Sequence, residues 1–338
     1  MSRTVSRMLS ALIVTLLSAT AVFAQDGHYP VTIQSYNQDG VLVKQTFKAA
    51  PKRVVSIGQA NTEVLIALGL ADRIIATAHR FSAVDASLAD RYKAIPFLSM
   101  TTIPPREVVI DLAPDLIVGW GSMFSNEQLG PTSDWAARGI NTYLLTNTVP
   151  GGGDHTLQHL YEDITTLGKI FDIEKKAAAL ITGMQQRIAA VQEVVGQIPL
   201  KDRVRVVTLQ YVYENEWLGR GGADLNRNLV ELAGGRHLND NGRQSMEVLV
   251  ELNPDFLVII DLSTSPAAGK IAALEANKSL RNIKAIREHH YFLIDHVQFY
   301  AGAPRSVDAV EAMARAFYPR LFPAKQSPGS AAAPNNSR

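Results

Sequence analysis

One sequence segment occurs twice in this chain, and the repeat limits what the chain can fold into more than any other feature. The first copy, EVVIDLAPDLIVGW, is Glu107–Trp120, and the second, EVLVELNPDFLVII, is Glu247–Ile260. Pro114 and Pro254 interrupt the copies, so each predicts a helix end followed by a short apolar strand of the kind buried in a parallel sheet. One such unit in each half predicts two similar α/β lobes with a cleft between them. Because the sequence shows no catalytic motif, the cleft indicates binding rather than chemistry.

The composition is that of an ordinary globular protein, with 46% hydrophobic and 19% charged residues. Lys and Arg together number 33 against 32 Asp and Glu, so the chain has no electrostatic footprint for nucleic acid or an anionic membrane. There is no cysteine. This excludes disulfides, thiolate metal sites, cysteine nucleophiles and a lipidated N-terminal cysteine.

The N-terminus has the pattern of a secretory signal peptide. Arg3 and Arg7 precede the apolar run Met8–Val22, and Ala24 supplies the small residue before the cleavage point. The run is shorter than the roughly 20 residues that span a bilayer, which argues against a membrane anchor. We therefore expect a freely diffusing periplasmic protein that begins at Gln25.

The segments between these landmarks predict the order of the elements. Residues 31–36 and 41–47 predict a β-hairpin around Asp39 and Gly40. Strands then alternate with helices, which predicts a mostly parallel sheet, and Asn61 is expected to cap the first helix. Apolar residues between 173 and 197 follow one face of a long helix. At 1.5 Å per residue it would be about 37 Å long, enough to run along both lobes.

Aromatic and basic side chains follow several of the predicted strands. Ligands of open α/β sheets bind beyond the carboxyl ends of the strands. Aromatic rings offer flat contact area with a polar edge, and arginine binds carboxylate- or hydroxamate-like oxygens. The cleft therefore suits a large, polar, partly anionic chelate. The predicted ligand-binding residues are Gln59, His79, Arg80, Trp120, Tyr211, Tyr213, Trp217, Arg220, Tyr300 and Arg305, with His296 and Phe299 in the same region.

Other chemistry is less well supported by the sequence. His155 and His159 lie one helical turn apart and could hold a metal, but no third ligand is evident nearby, and no metal site is predicted. Gly219–Gly222 lacks the spacing of a dinucleotide loop, and hydrolase and metalloprotease motifs are absent. A secreted metallochaperone or enzyme that uses these two histidines with His79 and His296 is the alternative of a different class.

Several segments resemble the class III periplasmic binding proteins, the substrate-binding subunits of ABC importers for ferric siderophores, cobalamin and haem. They are PKRVVSIGQANTEVLIALGLADRIIA, PDLIVGW, LVELAGG, MEVLVELNPDFLVII and APRSVDAVEAMA, in the family's order between Pro51 and Pro323. The resemblance implies an α/β protein of two Rossmann-like lobes with mostly parallel sheets. It also implies a single long rigid helix joining the lobes, a ligand cleft between them, limited closure and no catalysis.

The resemblance further implies where a membrane partner binds. In this family a surface glutamate on each lobe pairs with arginines of the ABC permease dimer at the inner membrane. The matching positions here are Glu107 and Glu247, the first residues of the two repeat copies.

The cargo expected from the resemblance is a ferric siderophore. Cobalamin binders have a tyrosine after the second strand, where this chain has His79 and Arg80, and only Trp120 matches a cleft tryptophan. Haem binders supply an axial tyrosine or histidine, for which His79 is available. Arginine at this position is similar to hydroxamate-type siderophore binders. We expect a monomer without a cofactor of its own, in which iron travels inside the cargo; cobalamin or haem is the alternative.

These expectations divide the chain into six segments. They are a signal peptide (1–24), an N-terminal β-hairpin (25–50), an N-lobe (51–172), an interlobe helix (173–198), a C-lobe (199–323) and a disordered tail (324–338).

Overall fold

The computed structural model describes residues 27–151 and 153–322. The predicted signal peptide and the predicted tail lie outside the described residues. Within the described part of the chain, two α/β lobes each contain one sheet, and a two-stranded hairpin lies at the start. No helix in this part is both long and apolar enough to cross a membrane.

The elements follow each other in an order in which strands and helices largely alternate. The strands are β1 (Val31–Tyr36), β2 (Leu42–Phe47), β3 (Val54–Ile57), β4 (Ile74–Ala78), β5 (Leu116–Gly119), β6 (Asn141–Leu144), β7 (Arg205–Val212), β8 (Glu216–Gly219), β9 (Arg236–His237), β10 (Gly242–Ser245), β11 (Phe256–Asp261) and β12 (Tyr291–Asp295). The α-helices are α1 (Gln59–Ala67), α2 (Ala89–Lys93), α3 (Arg106–Asp111), α4 (Thr132–Ala137), α5 (Leu157–Ile170), α6 (Glu174–Val195), α7 (Leu225–Leu232), α8 (Met246–Leu252), α9 (Ala267–Ala276), α10 (Lys284–Arg287), α11 (His296–Phe299) and α12 (Ser306–Phe317).

The hairpin β1–β2 is antiparallel and packs onto the N-lobe. The Asn37 side chain accepts hydrogen bonds from the backbone N–H groups of Asp39 and Val41, which fixes the turn. The Gln45 amide donates to the Thr142 carbonyl (2.7 Å) and accepts from the Thr142 N–H (3.0 Å). Gln45 therefore joins the hairpin to the β6 edge of the N-lobe sheet.

The two sheets differ in strand direction. The N-lobe sheet has the order β4-β3-β5-β6, and all of its pairs are parallel. The C-lobe sheet has the order β10-β8-β7-β11-β12, with β9 paired to β7 beside this path. Strand β7 pairs in parallel with β9 and β11, β11 pairs in parallel with β12, and β8 pairs antiparallel with both β7 and β10. The prediction of mostly parallel sheets is confirmed, with an added antiparallel edge on the C-lobe.

The repeated segment forms the same structure in both lobes, beginning with the N-lobe. Here α3 ends before Pro114, and the Asp115 carboxylate accepts hydrogen bonds from the backbone N–H groups of Lys52 (2.7 Å) and Arg53 (2.9 Å). The Arg53 guanidinium donates to the carbonyls of Leu112 (2.6 Å) and Ala113 (3.0 Å) at the end of the helix. Arginine and aspartate together tie the start of β3 to the helix end before β5.

The C-lobe copy repeats these bonds with its own residues. The Asp255 carboxylate accepts from the Arg205 N–H (2.8 Å), and the Arg205 guanidinium donates to the carbonyls of Leu252 (2.5 Å) and Asn253 (3.3 Å). Asn253 has a left-handed φ of 37°, like Ala113 with a φ of 45°. The repeat therefore encodes a way to end a helix and align two parallel strands, since helix-terminal carbonyls and strand-edge N–H groups need partners.

Helix α6 contacts both lobes. Its 22 residues correspond to about 33 Å, and one face of it is buried, at Ala177, Met184, Val191 and Val195. Near its middle, the Arg187 guanidinium pairs with carboxylates of α12 in the C-lobe, while the first turns of α6 pack on α5. The helix is thus anchored on elements of both halves.

The lobes also touch directly. The Asn147 amide of the N-lobe donates to the Ala301 carbonyl of the C-lobe (3.2 Å), and the Leu157 N–H donates to the Asn228 side chain (3.0 Å). One hydrophobic cluster includes buried residues of both lobes, while a second, smaller cluster lies within the C-lobe alone.

Candidate ligand-binding cleft

Trp120 lies where the N-lobe strands end and the cleft begins. It follows β5, is only 5% exposed, and its indole N–H donates to the Asn61 side chain (3.1 Å). The Asn61 amide in turn donates to the Ile57 carbonyl (2.6 Å). The prediction that Asn61 caps α1 is wrong, because α1 already begins at Gln59; Asn61 instead orients the tryptophan.

A glycine makes this placement possible. Gly58 has a φ of 109°, a region that residues with a Cβ rarely adopt. A Cβ on Gly58 would lie 3.0 Å from the ring of Trp120. The strand–helix turn after β3 therefore needs glycine both for its backbone angle and for the close approach of the indole.

Aromatic rings from the two lobes meet at this point and form an interlobe aromatic cluster. On the N-lobe side, the ring centroids of His79 and Phe81 are 4.3 Å apart, and those of His79 and Trp120 are 5.4 Å apart. From the C-lobe, Tyr300 lies 5.1 Å from Trp120, and His296 lies 4.7 Å from Phe81. The structure thus brings together four residues that were predicted from their positions at strand ends: His79, Trp120, His296 and Tyr300.

Arg220 lies beside this cluster on the C-lobe. Its guanidinium is 5.7 Å from the ring centroid of Tyr300 and 6.0 Å from that of Phe299, in the range of cation–π contacts. Its Nε forms an ion pair with Asp224 (2.9 Å). The arginine is therefore placed at the cluster as predicted, but its charge is already partly balanced.

The two cluster histidines are kept neutral by burial. Burial lowers the pKa of His79 and lowers that of His296 to about 3. His79 also has a left-handed φ of 64°, uncommon for a residue other than glycine. Its Nδ1 atom is buried without a hydrogen-bond partner in the described structure. A neutral imidazole nitrogen without a partner can serve as a metal ligand.

An open cavity of about 580 Å³, called here the interlobe cavity, lies next to the cluster. Its volume is in the range of small-molecule sites, about 300–1,000 Å³. One wall comes from the N-lobe and the other from the C-lobe: Arg80, Phe81, Ser82, Ala83, Met100 and Thr101 face Asp261, Leu262, Ser263, Pro266 and Asp295.

Arg80 supplies the charge on the N-lobe wall. Its guanidinium lies 5.5 Å from the ring centroid of Phe97, and its backbone N–H donates to the Met100 carbonyl (2.8 Å). No carboxylate of the described residues forms an ion pair with it. Arg80 is therefore a cation on the cavity wall whose charge is free to meet a ligand.

Two predicted ligand residues are instead occupied in a network that crosses between the lobes. The Arg305 guanidinium of the C-lobe pairs with Glu63 of α1 (2.8 Å) and with Asp295 (2.6 Å). The Gln59 amide donates to the same Glu63 carboxylate (3.0 Å) and accepts from the Ser82 N–H (3.0 Å). Burial, opposed by the nearby arginine, raises the pKa of Glu63 to about 7. Gln59 and Arg305 therefore hold the lobes and the loop after β4 in place.

The three aromatic residues predicted at strand ends near the start of the C-lobe do not line the interlobe cavity. Trp217 is fully buried in the smaller C-lobe cluster and donates its indole N–H to the Ser245 carbonyl (3.0 Å). The prediction that Trp217 faces the ligand is corrected, because a residue with no exposed surface in a core has no face to offer. Tyr211 lies near the Lys270 ammonium (5.6 Å), and Tyr213 is 39% exposed beneath Arg243 (4.5 Å).

The four histidines of the metallochaperone alternative do not form one metal-binding group, although His79 and His296 both lie in the interlobe aromatic cluster. The His159 Nδ1 atom lies 3.0 Å from the Asn147 side-chain oxygen, and burial lowers the pKa of His155. Within residues 27–151 and 153–322, no group of three potential metal donors includes His79, His155, His159 or His296.

Sequence reasoning missed Phe81, Glu63 and Asp295. Phe81 stands two residues past His79 on the loop after β4, so the strand-end rule could have found it. Glu63 looks like one helix carboxylate among many. Its importance depends on Arg305, a partner 242 residues away, and no local pattern signals that pairing.

Glu107 and Glu247 occupy equivalent positions on the two lobes. Each lies in the first turn of its helix, α3 or α8, and each side chain is exposed. A hydrogen bond from Ser245 lowers the pKa of Glu247. The repeat thus presents one exposed glutamate in the first turn of the equivalent helix on each lobe.

A cavity of about 610 Å³ lies elsewhere, between the hairpin and the N-lobe. Its walls include Lys44, Phe47, Asp115 and Thr142, and it has no wall from the C-lobe. It is away from the carboxyl ends of the strands, where ligands of open α/β sheets bind, whereas the interlobe cavity lies at those ends.

The sequence profile of the periplasmic binding protein family matches residues 54–297, and the chain belongs to this family. The class III resemblance is thereby confirmed. The uncharacterized ABC transporter substrate-binding lipoprotein YvrC of Bacillus subtilis is 25% identical over 298 residues, covering 87% of each chain.

Solved structures show the same architecture. A periplasmic binding protein from Veillonella parvula superposes with a TM-score of 0.76 at 26% identity, covering 88% of this chain and 94% of the other. An ABC-type Fe3+-hydroxamate transport protein from Saccharomonospora viridis superposes with a TM-score of 0.70 at 25% identity, covering 86% and 99%. The fold class is therefore α/β with two lobes.

Proposed function

We propose that this substrate-binding protein captures a ferric siderophore outside the cytoplasmic membrane and delivers it to an ABC permease. The observation that carries the proposal is the Arg80 guanidinium, a cation without an ion-pair partner on the wall of the interlobe cavity. The likeness to the Fe3+-hydroxamate transport protein of Saccharomonospora viridis supports the same class of cargo.

The chemistry of the cavity fits a ferric chelate. Arg80 can donate two parallel hydrogen bonds to the negatively charged oxygens around the iron. Phe81 and the neighbouring aromatic cluster supply flat apolar surface for the organic part of the chelate. Iron then belongs to the cargo, and the protein needs no cofactor of its own.

The direct test is a titration of the purified protein with a ferric trihydroxamate, followed by tryptophan fluorescence. Arg80→Ala should weaken binding about 10- to 100-fold, because a charge-assisted hydrogen bond is worth about 1.5–3 kcal/mol. Arg243→Ala is the matched control, since this arginine also lies over an aromatic ring, that of Tyr213, but away from the cavity. Unchanged affinity of Arg80→Ala would place the site elsewhere.

Haem is the second candidate, and a separate observation favours it. His79 offers a buried, neutral imidazole nitrogen without a partner, within a set of rings on which a flat tetrapyrrole could stack. A titration with haemin, followed by the visible absorption of the porphyrin, tests this. If haem is the cargo, His79→Ala should change the spectrum of the bound haem and weaken binding, whereas Arg80→Ala should leave the spectrum unchanged.

Glu107 and Glu247 are proposed to dock the protein on its permease. They are exposed, symmetric between the lobes, and away from the interlobe cavity. Complementary charges at such an interface set orientation and encounter rate. Glu→Ala at either position should leave cargo affinity intact and reduce uptake, the double change should nearly abolish it, and a double change to Lys should be worse still.

Matched controls lie on the same two helices. Asp111 at the end of α3 and Glu251 near the end of α8 are exposed carboxylates outside the first turns. Asp111→Ala and Glu251→Ala should support normal uptake. Normal uptake by the Glu107→Lys/Glu247→Lys variant at normal protein levels would refute the docking assignment.

The location of the protein follows from the same proposal. Delivery to a permease from outside requires export, and the predicted signal peptide would provide it. Mass spectrometry of the exported protein should show a chain that begins at Gln25, and a retained Met1 would contradict the signal-peptide prediction.

A further inference from the structure

A histidine and two carboxylates converge far from the interlobe cavity, where the N-terminal segment packs against the connection between α5 and α6. The Nδ1 atom of His28 lies 3.3 Å from a carboxylate oxygen of Asp172 and 3.5 Å from one of Glu174. One ligand atom of each residue lies within 4.8 Å of the other two. Within the described residues, these three side chains form the group of potential metal ligands whose donor atoms lie this close together.

The orientation of the His28 ring is fixed by its other nitrogen. The Nε2 atom lies 2.6 Å from the Lys169 carbonyl, which can only accept a hydrogen bond, so Nε2 must carry the hydrogen. In the neutral imidazole, Nδ1 then presents a lone pair to two carboxylate oxygens. Three acceptors facing one another repel unless a positive charge lies between them, and a bound metal ion supplies such a charge.

The surroundings favour an added cation. In the described structure, neither Asp172 nor Glu174 forms an ion pair with a lysine or arginine. The negative charge at this place is therefore only partly balanced by the protein.

The donor set matches a divalent transition metal. One imidazole nitrogen and two carboxylate oxygens are ligands that Zn²⁺, Ni²⁺ and Mn²⁺ accept, with water in the remaining positions. A ligand histidine typically donates its other N–H to a carbonyl, as His28 does to Lys169. The three side chains are 20%, 56% and 47% exposed, so an ion could reach them from solution.

We propose that His28, Asp172 and Glu174 form a surface site for a divalent transition metal, with Zn²⁺ as the best match. Asp172 lies in the connection between α5 and α6, and Glu174 is the first residue of α6, the helix that contacts both lobes. His28 follows closely on the expected mature start at Gln25. A bound ion fastens the N-terminal segment to the base of α6 and stabilises the folded state by mass action.

The test uses the untagged mature protein, freed of metal with a chelator and titrated with Zn²⁺ by calorimetry, alongside a thermal unfolding scan. The wild type should bind one equivalent and unfold at a higher temperature when Zn²⁺ is present. His28→Ala and Glu174→Gln should each weaken binding on the order of tenfold or more. Both variants should lose the Zn²⁺-dependent rise in unfolding temperature.

His289→Ala is the matched control, because His289 pairs with one carboxylate, Glu275, in an exposed setting without a third donor. It should bind Zn²⁺ like the wild type. If the wild type binds none of Zn²⁺, Ni²⁺ and Mn²⁺, or if His28→Ala binds as well as the wild type, the proposal is wrong.

Discussion

The two copies of the repeat form the same local structure, but their last residues have different surroundings. In both lobes an arginine at the start of one strand bonds the carbonyls at a helix end, and an aspartate after proline bonds the N–H groups of that strand. The copies diverge where the strands reach the cleft. Trp120 ends the first copy in the aromatic cluster, whereas the aligned Ile260 is still a buried strand residue of β11.

The difference shows how one framework can support a cavity with different charges on its two walls. The N-lobe contributes the Arg80 cation to the interlobe cavity, and the C-lobe contributes the carboxylates Asp261 and Asp295. None of these three lies within the repeated segments as aligned. The repeat therefore specifies how each lobe is held together, and residues outside it supply the charges that line the interlobe cavity.

The largest expected effects come from replacing buried tryptophans with alanine, and the effect on cargo affinity should differ between the two lobes. Trp217→Ala removes a fully buried ring and should lower the free energy of unfolding by about 3–5 kcal/mol, measured by urea denaturation. The folded fraction should keep the wild-type affinity for the cargo. Trp120→Ala should be destabilising as well, but it should also weaken cargo binding at least about tenfold.

Trp135 provides a matched control for this pair within the N-lobe. It is fully buried, and its indole N–H donates to the Leu129 carbonyl (3.0 Å). Trp135→Ala should behave like Trp217→Ala, with lost stability and retained affinity. If Trp217→Ala weakens cargo binding as much as Trp120→Ala does, the cleft extends into the C-lobe core and the contrast between the lobes fails.

The next effect tests the network that joins the lobes. The pKa of Glu63 is about 7 in the folded protein against 4.5 ordinarily, so the folded state holds an extra proton between these pH values. The contribution of Glu63 to the free energy of unfolding is therefore fully present below about pH 4.5. It is lost as the pH rises through about 7, which lowers the free energy of unfolding by about 3 kcal/mol. Glu63→Gln should remove this part of the pH dependence of the unfolding free energy.

Asp163 contributes in the same pH range and must be measured beside Glu63. Burial raises the pKa of this N-lobe carboxyl to about 7, although its hydrogen bonds with Thr146 and Tyr143 lower it. Glu63→Gln should therefore flatten the pH profile only in part, and Asp163→Asn should remove another part. A wild-type slope in the Glu63→Gln variant would contradict the assignment.

The smallest effect tests the equivalence of the two repeat copies. Arg53→Ala and Arg205→Ala each remove hydrogen bonds to two helix-end carbonyls and should each cost about 1–2 kcal/mol of unfolding free energy. Since the sites are in different lobes, the costs should add in the double variant. Arg243→Ala, which removes an exposed ion pair with Glu216, should cost less than about 1 kcal/mol. Clearly unequal costs for Arg53 and Arg205 would show that the repeat is similar in sequence only.

The residues of the candidate cleft show which positions could be predicted from the sequence and which could not. His79, Arg80 and Trp120 were predicted because they closely follow strands, and the carboxyl ends of parallel strands meet at one edge of the sheet, where the structure places these residues. The same rule chose Trp217 wrongly, because β8 runs antiparallel to β7 and the tryptophan side chain enters the C-lobe core. Strand direction at a sheet edge depends on which strands pair, and that is decided by contacts between distant parts of the chain.

The sequence by itself determined the local units: the hairpin turn at Asn37, the broken helices before Pro114 and Pro254, and the buried strands after them. These follow from short-range backbone preferences and from the periodicity of apolar residues. Only the tertiary structure decided that Arg305 is held by Glu63, that Trp120 meets Tyr300, and that His28 faces Asp172 and Glu174. Each of these pairings joins residues more than a hundred positions apart, where the chain between them sets no distance and packing alone brings the groups together.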